Sequence, residues 1–157
     1  MAVSLLVARG FSAEDFARTH PGGSLGRRLL TRVADLMHEQ DDLPHVDQDA
    51  SLAEALREMS RCGLGLTTVV DPQGRLLGIF TDGDLRRCLE SAPRDIRAEK
   101  VILHMTRSPV TVLAAQPAVD AAELMQRRRI TALVVVDADH HAVGAFNMHD
   151  LLRAGII

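Results

Sequence analysis

Residues 33–157 read as one sequence written twice, and a duplication of this kind leaves few folds open. The first copy closes on Gly78-Ile79-Phe80-Thr81-Asp82-Gly83-Asp84-Leu85-Arg86, the second on Gly144-Ala145-Phe146-Asn147-Met148-His149-Asp150-Leu151-Leu152. A shift of 66 residues superposes Met59 on Met125, Val69-Val70-Asp71 on Val135-Val136-Asp137, Gly78 on Gly144 and Asp84 on Asp150. Two more residues of shift near the start bring Met37 onto Met105. A self-match at a fixed offset marks a structural unit used twice, which buries its hydrophobic face against its twin. Function is sought in the clefts that such a pairing creates.

Each copy carries the same order of elements. A short helix (around Val33–Met37, then Lys100–Met105) precedes an extended segment (Leu43–Val46, then Val110–Leu113). A longer helix follows. In the first copy it opens with Ser51-x-x-Glu54, a capping box, and places Leu52, Ala55, Leu56 and Met59 on one stripe. In the second, Ala118, Ala121, Ala122 and Met125 take the equivalent stripe. Two buried strands then run Leu66–Val70 with Leu76–Phe80, and Leu133–Val136 with Ala142–Phe146, joined by turns at Asp71-Pro72-Gln73-Gly74 and Asp137-Ala138-Asp139-His140. Thr81 and Asn147 sit where strand hands over to the last helix, and both are good cap residues. The expected fold class is α+β: two α-β-α-β-β-α repeats related by a pseudo-twofold axis, whose paired corners enclose a small polar pocket.

Residues 1–32 stand outside the repeat. Phe11-Ser12-Ala13-Glu14-Asp15-Phe16 reads as a capped helix start, with Phe11 and Phe16 at staple positions. That helix should stop before His20-Pro21-Gly22-Gly23, since a residue before proline avoids helical geometry.

Composition removes several classes of function. The chain has no Trp and no Tyr, so it lacks stacking platforms for single-stranded nucleic acid. Its net charge of −3 gives no electrostatic reason to bind nucleic acid or an anionic membrane. Cys62 and Cys88 form no C-x-x-C pair and read as ordinary reduced cysteines, without a metal or redox centre. The apolar start at Met1–Ala8 is short and lacks a basic leader, which predicts neither signal peptide nor membrane span and a cytoplasmic location.

The strongest chemical signal is Thr81-x-x-Asp84, echoed by Asn147-x-x-Asp150, at a strand-to-helix corner. Exposed amides at a helix N-terminus and a hydroxyl make a seat for phosphate, and a carboxylate one turn on accepts hydrogen bonds from adjacent ribose hydroxyls. The same four residues read equally as a capping box that satisfies its own amides. Arg86-Arg87 lies close enough to Thr81 for a phosphate role. Arg127-Arg128-Arg129 reads as a solvated helix end, with a phosphate contact at Arg129 as the lesser alternative. His140-His141 falls in a hairpin turn and does not define a metal site. His149 reads as a surface helix position beside the second motif, and Met37, Met59, Met105 and Met125 as core filling.

Three markers carry a family resemblance: the short Asp35-Leu36-Met37 and His104-Met105 helices, the V-V-D turn, and the G-h-h-T-x-x-D-L corner. On these, residues 33–157 resemble a tandem pair of cystathionine-β-synthase (CBS) domains. The resemblance implies two β-sheets packed with helices outside, and dimers formed disc to disc. It also implies an adenine nucleotide or other nucleoside in the clefts between copies. In the family pattern the Thr81 hydroxyl contacts phosphate and the Asp84 and Asp150 carboxylates contact ribose. The second copy departs by carrying Asn147 in place of threonine.

Three longer runs narrow the resemblance: His20-Pro21-Gly22-Gly23-Ser24-Leu25-Gly26-Arg27, Ile79 through Arg87, and Met148 through Gly155. They are similar to the C-terminal part of the D-arabinose 5-phosphate isomerase family, which joins a sugar isomerase (SIS) domain to a CBS pair. That family interconverts ribulose 5-phosphate and arabinose 5-phosphate for synthesis of the lipopolysaccharide sugar Kdo. The likeness implies an SIS remnant and linker over 1–32, a first repeat over 33–92 and a second over 98–157. It maps the family's active-site histidine onto His20, which without the SIS sheet and phosphate loops is not expected to be catalytic. The implied role is regulatory and non-catalytic. No cofactor or metal is required, the effector is an adenine nucleotide or CMP-Kdo, and Thr81, Asp84, Arg86, Asn147 and Asp150 are the ligand-binding residues. Homodimers of CBS pairs, and tetramers of a full-length enzyme, are the implied assembly. The alternative is an oligomerisation cassette with vestigial clefts.

Overall fold

The computed structural model describes Asp15, residues 23–91 and residues 95–157. The expected helix at Phe11–Phe16, apart from the helical Asp15, and the histidine at position 20 lie outside them. Helix α1 (Ser24–Leu30) leads into the first copy, whose opening is a 3-10 turn at Val33–Asp35. A second 3-10 turn (Gln40–Asp42), strand β1 (His45–Asp47), helix α2 (Leu52–Cys62), strands β2 (Leu66–Val70) and β3 (Leu76–Thr81), and helix α3 (Asp82–Ser91) complete it. The second copy opens with a 3-10 turn (Val101–Leu103) and strand β4 (Thr106–Arg107). It continues through β5 (Thr111–Val112), α4 (Ala118–Arg128), β6 (Ala132–Val136), β7 (Ala142–Asn147) and α5 (Met148–Arg153).

The expected short helices are therefore single 3-10 turns. The amides that open them, which a helix leaves unpaired in any case, donate across the molecule. Val33 donates to the Gln116 carbonyl at 2.9 Å, and its counterpart Val101 donates to Ala50 at 2.9 Å. The same exchange organises the sheets. One has the order β1-β2-β3-β4 and the other β5-β6-β7, with β1–β2 and β5–β6 parallel and the remaining pairs antiparallel. Strand β4 belongs to the second copy in sequence, yet it pairs with β3 of the first. Its twin position, His38, bridges to Ala145 on β7 of the second. Each copy thus lends its leading segment to the other. The pseudo-twofold axis passes between the hairpin turns, where Arg75 bridges His141.

Alternation along the central strands divides the core, because successive residues of a strand face opposite sides. Val69 packs with Leu52, Ala55, Met59, Phe80 and the lent Val101 and Met105 on the helix side of the first sheet. Leu133, Val135 and Phe146 pack with Ala118, Ala121, Met125 and the lent Val33 in the second. The opposite faces meet through Leu66, Leu76, Val134, Val136 and Ala145. Two sheets therefore lie against each other with helices outside.

The predicted capping box of α2 is present. The Ser51 amide and hydroxyl donate to the Glu54 carboxylate at 2.7 and 2.8 Å, and the Glu54 amide donates back at 3.3 Å. These bonds hold the Glu54 carboxyl below its ordinary value of 4.5, the backbone bond contributing most. A depressed pKa contributes stability that is complete above 4.5 and lost as pH falls through the lowered value. A side-chain carboxyl titration by NMR should find Glu54 titrating below 4.5, and Ser51→Ala should move it only part of the way back, because the larger backbone bond remains.

Candidate functional site

The lent segment and the strand-to-helix corner of the first copy face the start of β6 across a cleft of about 460 Å³, within the range of small-molecule sites. Thr81, Asp82, Gly83 and Arg87 come from the corner, Thr106 and Ser108 from the lent segment, and Arg129 and Thr131 from the second copy. Leu66, Ile79, Val110, Ile130 and Val134 supply an apolar wall. A depression of equal volume along β1 and α2 is lined by His45, Asp47, Asp49 and Glu54 of one copy alone, with Asp49 paired to Lys100 at 2.6 Å.

Asp84 organises the corner from beneath. It is 2% exposed. Its Oδ2 accepts the Thr81 amide at 2.8 Å and the Thr81 hydroxyl at 2.7 Å, while its own amide donates to Thr81 Oγ1 at 3.2 Å. Its Oδ1 accepts the Thr106 hydroxyl at 2.8 Å and a guanidinium N–H of Arg87. The motif is a capping box, and through Thr106 it also clips the lent segment to the corner. Thr81 lines the cleft, Asp84 forms the layer under it, and Arg86 points elsewhere on the exposed surface. Arg87 is the basic residue at the cleft because position i+3 shares a helix face with Asp84, whereas i+2 does not.

The second corner uses the same backbone with different side chains. Asn147 Oδ1 accepts the His149 and Asp150 amides at 2.9 and 3.2 Å, and Asp150 Oδ2 accepts the Asn147 amide at 2.9 Å. His38 stands where the first corner has Thr106, with its Nε2 2.9 Å from Asp150 Oδ1. Arg153 approaches the same oxygen at 3.9 Å. Met148 and His149 replace Asp82 and Gly83. The depression beside Asp150 is smaller, about 270 Å³, and lies among Asp35, His38, Arg153 and Ala154.

Electrostatically the first cleft holds two guanidiniums against the single Asp82 carboxylate. Arg129, expected mainly at a solvated helix end, lines the cleft. It closes α4 in the left-handed region, at φ 55° and ψ 43°. The twin position at the end of α2 is Gly63, at φ 67°. A side chain in that conformation costs on the order of 1 kcal/mol. Cys88, one turn beyond Asp84 on α3, is buried, and burial first and Asp84 second push its thiol up. It stays protonated, and the cleft lining contains neither thiol nor imidazole. The arrangement is equipped to hold a partly apolar, partly anionic molecule.

The sequence model of the CBS domain matches residues 33–91 and 96–156. The chain belongs to the CBS domain family. Over all 157 residues this CBS pair is 55% identical to an arabinose 5-phosphate isomerase KdsD of Pseudomonas aeruginosa, covering 48% of it. It is 50% identical to the KdsD of Escherichia coli, covering 47%. The chain thus spans about half the length of the curated relatives it matches. Among solved structures, that of CBSX2 in complex with AMP is 27% identical, with a TM-score of 0.67 over 80% of this chain and 96% of that one. No helix among the described residues is long and apolar enough to cross a membrane.

Proposed function

We propose that this CBS pair is the regulatory module of a D-arabinose 5-phosphate isomerase and senses a nucleotide-bearing effector in the cleft at the Thr81 corner. Ribulose 5-phosphate and arabinose 5-phosphate would be interconverted elsewhere in the longer protein. His20 belongs to that other part, and the pair alone is not catalytic. The observation that carries the reading is a cleft with an apolar wall for a base and a wall of hydroxyls and guanidiniums for sugar and phosphate. The likeness to a CBS pair bound to AMP supports the ligand class. The match of this whole chain to about half of the KdsD enzymes supports the context.

Because the cleft takes residues from both copies and from the lent segment, an occupant contacts parts that can shift relative to one another. Binding regulates only if the effector prefers one arrangement over another, and that differential affinity bounds the response. A ribose hydroxyl reaching Asp84 would compete with Thr106 and Arg87 for Oδ1, releasing the lent segment or the guanidinium. This offers a local route from occupancy to a change in the disc.

Calorimetric titration of the chain with AMP, ATP, CMP and CMP-Kdo tests the reading. One molecule per chain is expected, since the Asn147 corner carries the bulkier Met148 and His149 in place of Asp82 and Gly83. Heat from none of the four, with no thermal shift, would end it. A second reading, an assembly cassette, is favoured by the exposure of Leu89 (63%) and Leu103 (71%). It makes the pair a homodimer and the full enzyme a tetramer. Leu89→Glu would then reduce oligomer size by sedimentation without altering nucleotide binding.

A further inference from the structure

We propose that Arg129 is the anion anchor of the cleft, so that the second copy supplies the cation for a pocket whose corner the first copy builds. The inference rests on the nucleotide reading above and names the residue that would hold the charged end of the effector.

The first ground is backbone geometry. The fold requires a left-handed residue where α2 and α4 end, and the first copy meets that requirement with Gly63 at φ 67°. Glycine is the residue that adopts this conformation without steric cost. The second copy places arginine there at φ 55°. A conformation held against its intrinsic preference is a reason to look for function.

The second ground is what the side chain does. Among the described residues Arg129 makes no ion pair and no side-chain hydrogen bond, yet it lines the cleft. Arg87, the other cation there, is already engaged by the buried Asp84. A favourable interaction with the helix dipole does not account for Arg129, because Arg127 and Arg128 already put two cations in the last turn of α4.

The third ground is the direction of the field. Among the described residues Asp82 is the one carboxylate in the lining, and its Oδ2 lies toward Gly65, 3.3 Å from where a Cβ on that glycine would stand. An anionic group is therefore repelled from the Asp82 side and drawn toward the guanidiniums. Seated there, it touches the second copy through Arg129 and the first through Thr81 or Arg87.

The test compares the full chain with Arg129→Gly, using AMP, CMP, adenosine and cytidine as probes. The wild type should bind at least one monophosphate about 10-fold or more tightly than its nucleoside, in the range of a charge-assisted contact. In Arg129→Gly that preference should fall to about 3-fold or less with nucleoside affinity unchanged. The variant without ligand should melt about 2 °C higher, since the backbone is relieved, which separates lost binding from lost folding. An unchanged phosphate preference in Arg129→Gly overturns the anchor while leaving the nucleotide reading intact. Equal wild-type affinity for nucleoside and monophosphate does the same. Failure of all four probes to bind overturns both.

Discussion

Gly78→Ala is expected to destabilise the protein by about 3 kcal/mol, at the upper end of the cost of overpacking. A Cβ at position 78 would stand 2.6 Å from the Thr106 carbonyl oxygen and 2.7 Å from Met105 Sδ. The methionine can swing aside, because its side chain is unbranched and flexible. The carbonyl cannot. It belongs to β4, which is paired to β3 at Gly78 itself. The twin substitution, Gly144→Ala, meets Met37 Sδ at 2.7 Å and the nearest backbone oxygen, His38, only at 3.2 Å. It should cost about 1 kcal/mol less, since most of its clash is with the adaptable side chain. Urea denaturation of the two variants measures the difference. A Gly78→Ala variant within about 0.5 kcal/mol of wild type would mean that the lent segment does not lie against β3. The same substitution should also weaken ligand binding, since displacing β4 moves Thr106 away from Asp84.

These glycines show where the sequence was readable and where it was not. Within each copy the order of elements was legible because local signals agreed. The stripe at Leu52, Ala55 and Met59 has a helical period, and the capping boxes at Ser51, Thr81 and Asn147 each mark a helix start that the structure contains. The exchange of leading segments was not legible. Strand β4 is two exposed residues long, so it has no periodicity to detect, and its partner lies in the other copy. Gly78 and Gly144 were visible as matched glycines, but only the close approach of the lent segments, the Thr106 carbonyl and Met105 at one and Met37 at the other, explains why a side chain there is costly. At the candidate site, the motif pointed to Thr81, which lines the cleft. Arg87 required the helix register to be carried one residue past Arg86. Arg129 required noticing that the repeat aligns it with Gly63, a match between unlike residues that similarity alone passes over.

The asymmetry of the two corners leads to the largest expected effect on binding. Gly83→His, which installs at the first corner the residue found at the second, should lower nucleotide affinity on the order of 100-fold, about 2.7 kcal/mol. The backbone accepts the change. Position 83 lies in the first turn of α3, and a Cβ there meets Arg87 Nη1 and Thr81 Oγ1 at 3.6 Å each, an ordinary contact distance. The imidazole beyond that Cβ would enter the cleft itself, because Gly83 lines it beside Thr81 and Arg87. Folding should therefore be retained while the seat is filled. The reverse exchange, Asn147→Thr with Met148→Asp and His149→Gly, gives the second corner the residues of the first. It should raise the stoichiometry toward two only if His38, at the place of Thr106, is also changed to threonine, because its imidazole is held over that corner by Asp150. Calorimetry reads both the lost affinity and the gained site. Full affinity in Gly83→His would place the occupant somewhere other than the Thr81 corner. A second site that appears without altering His38 would show that the imidazole is not what closes it.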